Sequence, residues 1–190
     1  MDAVLYIGRN RKERGKIMDK INRKILMFMI VYGMVCCLAL CLFKTTFMFS
    51  FIPSRSMEGT LQKGDFVIST CYDVGEDDLN RYDILIFIPP DEPDAIYIKR
   101  LIGMPGETIE VSNGKVYADG VELDDSFIKE PMNTNGDGVY AVPDGCYFFI
   151  GDNRNNSKDS RFWEEKYVPL ENIQAKAKFI LFPFSDAGLL

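Results

Sequence analysis

Two serines in a turn are the residues best suited to nucleophilic chemistry. Ser54 and Ser56 lie in the stretch FIPSRSMEGTLQKGDFV, residues 51–67, where a Pro-initiated turn follows an apolar run and precedes a strand-like run. The chain contains no histidine, which excludes a Ser-His-Asp or Cys-His protease and a histidine-ligated zinc hydrolase. If Ser56 is a nucleophile, its proton must pass to another base, and an uncharged lysine is the known substitute.

Lys99 is the candidate for that base. It lies in the strand-like run AIYIKRL, in which alternation places Tyr97 and Lys99 on one face and Ile98 and Arg100 on the other. If the Lys99 face is covered, desolvation penalises the ammonium form and lowers the pKa of the amine. A shift from about 10.4 to a catalytically useful value of about 7 to 8 requires roughly 3 to 5 kcal/mol. A solvated lysine on an edge strand is the structural alternative, and burial statistics favour it when this residue is considered alone.

An apolar segment near the N-terminus predicts a membrane anchor. Residues 25–43 are uncharged and mostly apolar, and as a helix these 19 residues would span roughly 29 Å, which matches a bilayer core. Residues 1–24 carry eight Lys or Arg against three acidic residues, so the positive-inside rule predicts a cytoplasmic N-terminus and an extracytoplasmic remainder. A cleavable signal peptide is the alternative, but its apolar region would be about 7 to 15 residues long and a small-x-small site would follow it.

The remainder of the chain is acidic. Residues 45–190 contain 13 basic and 25 acidic residues, a net charge of −12, which argues against binding nucleic acid backbones. Of the five cysteines, three lie in the apolar segment, which leaves Cys71 and Cys146 outside it. Their wide spacing indicates neither a zinc site nor a disulfide framework. A single bridge and a pair of buried small hydrophobes both remain open.

Short runs rich in β-branched and aromatic residues, bounded by Gly, Pro, Asn or Asp, dominate after Ser50. Asn113 and Gly114 lie between two alternating runs and predict a hairpin, because a type I′ turn requires positive φ at both central residues. Residues 124–138 form a predicted polar excursion, and one short helix is predicted near residues 169–174. The predicted strands are 65–70, 83–88, 95–102, 108–111, 115–118, 145–150 and 177–182.

These patterns predict a mainly β fold. A basic N-terminus (residues 1–24) and a transmembrane helix (25–43) precede an antiparallel β-sheet domain over residues 44–190. A smaller hairpin-containing subdomain is expected within it at about residues 107–145. The apolar run FMFSFI, residues 47–52, is predicted to be a strand with an apolar rim; a surface dipping into lipid headgroups is the alternative.

Three stretches, PSRSMEGTLQKGDFV, YIKRLIGMPGETI and FFIGDNRNNSKDSRFW, together resemble the type I signal peptidases, which are membrane-anchored serine proteases with a serine-lysine dyad. The resemblance runs in order and spacing over residues 25–190 and includes the single N-terminal anchor and the closing KFILFPFSDAG. The eleven residues GDNRNNSKDSR are its most specific part.

The resemblance implies that Ser56 is the nucleophile and Lys99 its general base, with no metal or cofactor. The Ser54 hydroxyl and the Ser56 backbone N–H would form the oxyanion hole, in which loss of one donor typically costs about 3 to 4 kcal/mol of transition-state stabilisation. Ser157 would orient the Lys99 amine. Charge-assisted hydrogen bonds would hold the two loops together. The residues that the resemblance assigns to this support are Asp152, Arg154, Asp159 and Arg161.

Some features fit the resemblance less closely. The loop GDNRNNSKDSR also fits a solvated Asx-turn or a cation-binding loop, although Arg154 at the third ligand position counts against calcium. Gly59 stands where the family usually has Pro, which loosens that turn because Gly costs more backbone entropy to fix. Glu164 follows Trp163 where the family usually has Gly. Both departures leave the dyad intact and bear on efficiency and substrate preference.

The implied reaction is hydrolysis of the signal peptide bond of a translocated preprotein, within about 45 Å of the membrane end of the chain. An extended substrate would pair with strand edges, and shallow apolar pockets would admit only small residues, hence cleavage sites of the Ala-x-Ala type. The partners implied are exported preproteins and membrane lipid, without nucleic acid, for a monomeric enzyme. The residues predicted to line the pockets are Ile52, Pro53, Met57, Leu61, Tyr97 and Ile98.

Three rival functions are open at this stage. A membrane-anchored assembly chaperone with this fold would lack the dyad, whereas Ser56 and Lys99 are both present. A self-cleaving repressor uses a similar site but is soluble and carries a DNA-binding domain. A specialised peptidase for pilin-like surface proteins is not separable from a general one by sequence.

Overall fold

A computed structural model describes residues 2–133 and 135–190, and the side chains of all of these except residues 2–17, 19 and 21. The chain divides into two compact units, one ending at Lys44 and the other spanning Thr45–Leu190. The first is formed by a single helix, α1 (Asp2–Thr46). Its part Asn22–Thr46 is long and apolar enough to cross a membrane, which confirms the predicted apolar helix and extends it at both ends. Leu26 and Phe28 in this part are 60% and 70% exposed.

The second unit consists mainly of short strands. In the described part of the chain they are β1 (Phe47–Phe51), β2 (Phe66–Thr70), β3 (Ile84–Phe87), β4 (Tyr97–Gly103), β5 (Thr108–Ser112), β6 (Lys115–Ala118), β7 (Val121–Glu122), β8 (Gly138–Ala141), β9 (Cys146–Ile150), β10 (Val168–Pro169), β11 (Ile173–Phe182) and β12 (Gly188–Leu189). The predicted helix near residue 170 is a 3-10 turn at Leu170–Asn172. β11 starts directly after it, four residues before the predicted strand.

The strands form two antiparallel sheets, and the predicted mainly β fold is confirmed. The larger sheet has eight strands in the order β1-β2-β11-β3-β4-β9-β10, with β12 paired to β11. The smaller sheet has the order β7-β6-β5-β8, and its strands fall within the segment 107–145 predicted as a smaller subdomain. β8 was not expected, because it is only four residues long, starts where the predicted polar excursion ends at Gly138, and pairs with β5, which is distant in sequence.

The hairpin between β5 and β6 has the predicted turn. Asn113 and Gly114 have φ angles of 52° and 78°, so both central residues are in the left-handed region that a type I′ turn requires. The cross-strand pairs Ser112–Lys115 and Val111–Val116 follow directly from this two-residue connection. Local turn chemistry therefore sets the register of the small sheet.

β4 is the central strand for the site. It lies between β3 and β9, and its residues from Lys99 to Gly103 are all buried. Leu101 packs with Leu85 and Phe149 in one core cluster, and Ile102 packs with Ile150 in another. The consecutive residues Leu101 and Ile102 thus enter different cores, and each such large side chain contributes about 1.5 to 3 kcal/mol when fully buried. A side chain on this strand is withdrawn from water on either face.

Candidate active site

Ser56 is presented by a closed loop between β1 and β2. The Ile52 N–H donates to Asp65 O at 2.9 Å and the Gly64 N–H donates to Ile52 O at 2.9 Å, so the two ends of the loop are joined. Within it, the Leu61 N–H donates to Met57 O at 2.8 Å. This one-turn structure places Met57 and Leu61 in the core and leaves the serine at its edge, only 8% exposed.

Lys99 reaches the serine from β4. Its Nζ lies 2.7 Å from Ser56 Oγ and 3.1 Å from the Ile98 carbonyl oxygen, and the residue is 4% exposed. The Tyr97 ring centroid lies 5.1 Å from the same nitrogen. Because β4 is an internal strand, the alternative of a solvated edge-strand lysine is wrong. The predicted proximity of the two groups is confirmed, whereas their catalytic roles stay a prediction.

Burial determines the protonation of this lysine. Desolvation lowers the pKa of the Lys99 amine from 10.5 to about 8, and the nearby carboxylates of Asp159 and Asp152 raise it. No described carboxylate lies within ion-pair distance of Nζ, so desolvation is the larger effect. With a pKa of about 8, roughly a tenth of the amine is neutral at pH 7 and half at pH 8. The group is therefore able to accept a proton near neutral pH.

Ser54 lies beside Ser56, the candidate nucleophile. Its hydroxyl oxygen is 3.3 Å from Ser56 Oγ, and either group can donate. The backbone around both serines is fixed from the opposite loop, because the Asn153 N–H donates to Ser56 O at 3.0 Å and the Asn153 side-chain amide donates to Arg55 O at 3.1 Å. Gly151 permits this approach: a Cβ there would lie 2.4 Å from Ser56 O.

Ser157 is close to the dyad but does not make the predicted contact. It is 8% exposed, and its hydroxyl has no hydrogen-bond partner among the described residues. A Cβ on Gly151 would lie 2.2 Å from Ser157 Oγ, so the side chain packs against the loop backbone. The Lys99 amine is instead held by Ser56 Oγ and the Ile98 carbonyl oxygen.

Asp152 links the nucleophile loop to β4. Its carboxylate accepts two hydrogen bonds from Arg100, at 2.8 Å from Nε and 2.6 Å from Nη2, and one at 2.6 Å from the Thr60 hydroxyl. Asp152 and Arg100 are 2% and 8% exposed. Strand alternation placed Arg100 on the face opposite Lys99 but did not identify it as part of the site. Its position directly after Lys99 in the chain could have indicated this role.

Asp159 and Arg161 form the second support. Arg161 Nε and Nη2 each donate to the Asp159 carboxylate at 2.8 Å, and the Gly151 N–H donates to the same carboxylate at 3.0 Å. Arg161 Nη2 also donates to Arg154 O at 2.9 Å. The pair thus fixes the loop GDNRNNSKDSR from inside, and neither Asp152 nor Asp159 is free to hold a cation as the cation-binding alternative requires.

Arg154 makes a different connection from the predicted one. Its Nη2 lies 3.1 Å from Asp125 Oδ1 in the polar segment that precedes β8. Phe127 of the same segment lies between two guanidinium groups, with Arg100 at 4.1 Å and Arg154 at 5.9 Å from the ring centroid. Arg154 therefore joins the loop to residues 124–138 rather than to the nucleophile loop, and sequence reasoning gave no sign of this role for the segment.

A solvent-accessible cavity of about 320 Å³ lies over the dyad. It is lined by Pro53, Ser54, Arg55, Ser56, Ile96, Tyr97, Ile98, Lys99, Asn156 and Lys158. Three of the residues predicted to line substrate pockets are among them: Pro53, Tyr97 and Ile98. The other three, Ile52, Met57 and Leu61, are at most 2% exposed and pack in a core cluster, because the closed loop turns their side chains inward. Their predicted place in the cavity wall is corrected accordingly.

Of the two departures from the family pattern, Gly59 has a structural counterpart. Gly59 has a φ of 123°, which proline, fixed near −65°, does not adopt, so the turn after the nucleophile takes a conformation that requires glycine. The Glu164 and Glu165 N–H groups donate to the Asp91 carboxylate at 2.8 Å and 3.0 Å, but these are backbone bonds that Gly at position 164 would also make, and the Glu164 residue itself is exposed.

Cys71 and Cys146 are free thiols in this structure. Burial raises the pKa of both thiols, and Asp73 and Glu171 respectively raise it further. Of the two alternatives, partly buried small side chains therefore describe them better than a bridge.

Comparison with known proteins identifies the family. The model of the family described as "Signal peptidase, peptidase S26" matches residues 25–182. The protein named "Probable signal peptidase I-1" of Synechocystis sp. is 41% identical over 147 residues, which is 74% of this chain and 74% of that protein. Signal peptidase I of Bacillus licheniformis is 33% identical over 178 residues, 87% and 94% of the two chains. A solved signal peptidase I from Enterococcus faecalis V583 is 31% identical, covers 52% of this chain and 95% of its own, and has a TM-score of 0.44. The chain therefore belongs to the signal peptidase family, peptidase S26, and is a serine endopeptidase.

Proposed function

We propose that this protein removes N-terminal signal peptides from exported preproteins, with Ser56 as nucleophile and Lys99 as general base. The observation that carries the proposal is a buried amine 2.7 Å from the serine hydroxyl in a chain without histidine. The basic N-terminus would lie in the cytoplasm and residues 45–190 outside. A chaperone role without proteolysis gains no support, because the dyad is present and assembled.

The first half of the reaction forms an acyl-enzyme. The Ser56 hydroxyl donates its proton to the neutral Lys99 amine while Oγ attacks the carbonyl carbon of the scissile bond. The oxyanion that develops accepts hydrogen bonds from the Ser54 hydroxyl and the Ser56 backbone N–H. Lys99 then returns the proton to the leaving amine, which departs as the new N-terminus of the mature protein.

The second half releases the signal peptide. The Lys99 amine, neutral again, removes a proton from a water molecule that attacks the Ser56 ester. Collapse of this second tetrahedral intermediate breaks the ester bond and returns the proton to Ser56 Oγ. Ser157 is assigned no step, because its buried Oγ has no hydrogen-bond partner among the described residues.

Substrate would lie extended across the cavity, with small side chains one and three residues before the cut facing Pro53, Tyr97 and Ile98. Side chains of an extended chain alternate, so two small residues at that spacing face the same wall. This supports cleavage sites of the Ala-x-Ala type. The membrane anchor would keep a monomeric enzyme at the lipid surface where such substrates emerge.

The test uses the full chain in detergent and a preprotein with an Ala-x-Ala site. Ser56→Ala and Lys99→Ala are expected to abolish cleavage, because each removes one half of the proton transfer. Ser112→Ala and Lys115→Ala, on the small sheet, are matched controls and are expected to retain wild-type cleavage. Activity that survives in either dyad variant contradicts the proposal.

A further inference from the structure

The cavity over the dyad is cationic, in a unit that is otherwise acidic. Residues 45–190 carry a net charge of −12, yet the charged residues lining the cavity, apart from Lys99 itself, are Arg55 and Lys158. No carboxylate is among the residues that line it in the described part of the chain. Two exposed cations therefore border the place where substrate must lie.

The two cations are not equivalent. Lys158 Nζ lies 2.5 Å from Glu92 Oε1, and the other oxygen of that carboxylate accepts a hydrogen bond from the Tyr97 hydroxyl at 2.8 Å. Lys158 lowers the pKa of the Glu92 carboxyl group, so the pair stays charged on both sides. The charge of Lys158 is consequently balanced within the protein.

Arg55 has no such partner. None of the ion pairs among the described residues includes it, and its side chain is exposed. Its backbone is nevertheless fixed, because Arg55 O accepts hydrogen bonds from the Glu58 N–H at 3.0 Å and from the Asn153 amide at 3.1 Å. The guanidinium group is thus an unbalanced charge on a rigid support, directly before the nucleophile in the chain.

The geometry points to Arg55 as a specificity-determining residue that favours an Asp or Glu within two residues of the scissile bond. This inference rests on the proposed function. Neighbouring Cα atoms are 3.8 Å apart and two residues of extended substrate cover about 7 Å, so Arg55 reaches only the positions next to the cut. With the residues at −1 and −3 facing the cavity wall, alternation places the side chains at −2 and +1 at the rim. A planar guanidinium binds a carboxylate through two parallel hydrogen bonds.

The experiment compares kcat/KM for matched peptides that carry Glu or Gln at position −2 or +1 of an Ala-x-Ala site, with the full chain in detergent. Wild-type enzyme is expected to prefer Glu by about 5-fold at one or more of these positions at low ionic strength. The preference should fall as salt shortens the screening length to about 8 Å at 0.15 M. Arg55→Gln should bring the ratio to about 1, and Arg55→Glu should favour a Lys peptide instead.

Two further variants calibrate the effect. Lys158→Gln is expected to reduce the preference less than Arg55→Gln does, because its charge is already balanced by Glu92. Lys115→Gln, a cation far along the chain on the small sheet, should leave the ratio at the wild-type value. Equal cutting of the Glu and Gln peptides at both positions, or a preference that survives Arg55→Gln, overturns the inference while leaving the proposed function standing. Failure to cut any peptide overturns both.

Discussion

Lys99 and Arg100 are neighbours on one internal strand, and the protein treats their charges in opposite ways. Both are buried, at 4% and 8% exposure. Arg100 donates two hydrogen bonds to the Asp152 carboxylate and another, at 2.8 Å, to Tyr82 O. The Lys99 amine contacts the Ser56 hydroxyl and the Ile98 carbonyl oxygen, and no described carboxylate lies at ion-pair distance from it. A buried cation is stable only if it is paired or loses its proton, and the two residues illustrate these two solutions.

The difference explains why Lys99, the proposed base, can lose its proton whereas Arg100 cannot. Arginine retains its charge in proteins, so it suits the paired position, whereas the pKa of lysine falls readily on burial. Asp152 and Asp159 raise the pKa of Lys99, but each is occupied by its own arginine, Arg100 or Arg161. We infer that these pairings limit how far the carboxylates stabilise the ammonium form. Structural support and pKa control are thereby provided by the same ion pairs.

The largest expected effect is that of Arg100→Met. The variant leaves Asp152 buried without a cation, and breaking a buried pair in this way costs about 3 to 5 kcal/mol of the free energy of unfolding. Urea denaturation of the full chain in detergent measures it. The double variant Arg100→Met with Asp152→Leu is the control and should recover most of the loss, since it removes the whole pair. A loss of less than about 1 kcal/mol for the single variant would show that Arg100 is not needed to balance the carboxylate.

Lys99→Met is expected to raise the free energy of unfolding near neutral pH, whereas Arg100→Met lowers it. Because burial lowers the pKa from 10.5 to about 8, the protonated lysine opposes folding at pH 7. Its contribution to the free energy of unfolding rises by about 3 kcal/mol as pH increases from 8 to 10.5. The variant lacks this term, so at pH 7 it should be more stable than wild type although inactive. Its advantage should shrink by about that amount at pH 10.5; a difference that does not vary with pH would mean that Lys99 is not desolvated.

The smallest effect is expected for an exposed pair. Lys115 and Glu122 lie 2.9 Å apart on the small sheet, with side chains that are 50% and 52% exposed. Water and salt screen such a pair, so Lys115→Ala should leave the urea midpoint within experimental error of the wild-type value. A clear loss of stability would contradict the account, because it would show that an exposed ion pair stabilises this protein as the buried pair of Arg100 and Asp152 does.

The features that could be predicted from the sequence are those set by local patterns of residues or by motifs shared with a known family. The absence of histidine indicated a lysine as the base, the resemblance to the type I signal peptidases assigned Ser56 and Lys99, and Asn113 with Gly114 predicted the hairpin turn. In contrast, the partner of Arg100 lies 52 residues away in the chain. That pairing follows from the order of strands in the sheet, which no local pattern specifies.

The inward orientation of Met57 and Leu61 was also beyond local reasoning. These residues look like parts of an apolar surface next to the nucleophile. The backbone bonds between Ile52, Gly64 and Asp65 close the loop and turn them into the core. The role of Asp125 and Phe127 depends likewise on contacts with Arg154 and Arg100 that are made across the fold.

The pH dependence of kcat/KM tests most directly whether Lys99 acts as the neutral base. With an ordinary Ala-x-Ala peptide, the wild-type enzyme should gain about tenfold in kcat/KM per pH unit below a pKa of about 8 and level off above it. The active form is the deprotonated one, so the profile must rise with pH. A profile that is flat or falling between about pH 6 and pH 9 would contradict the assignment.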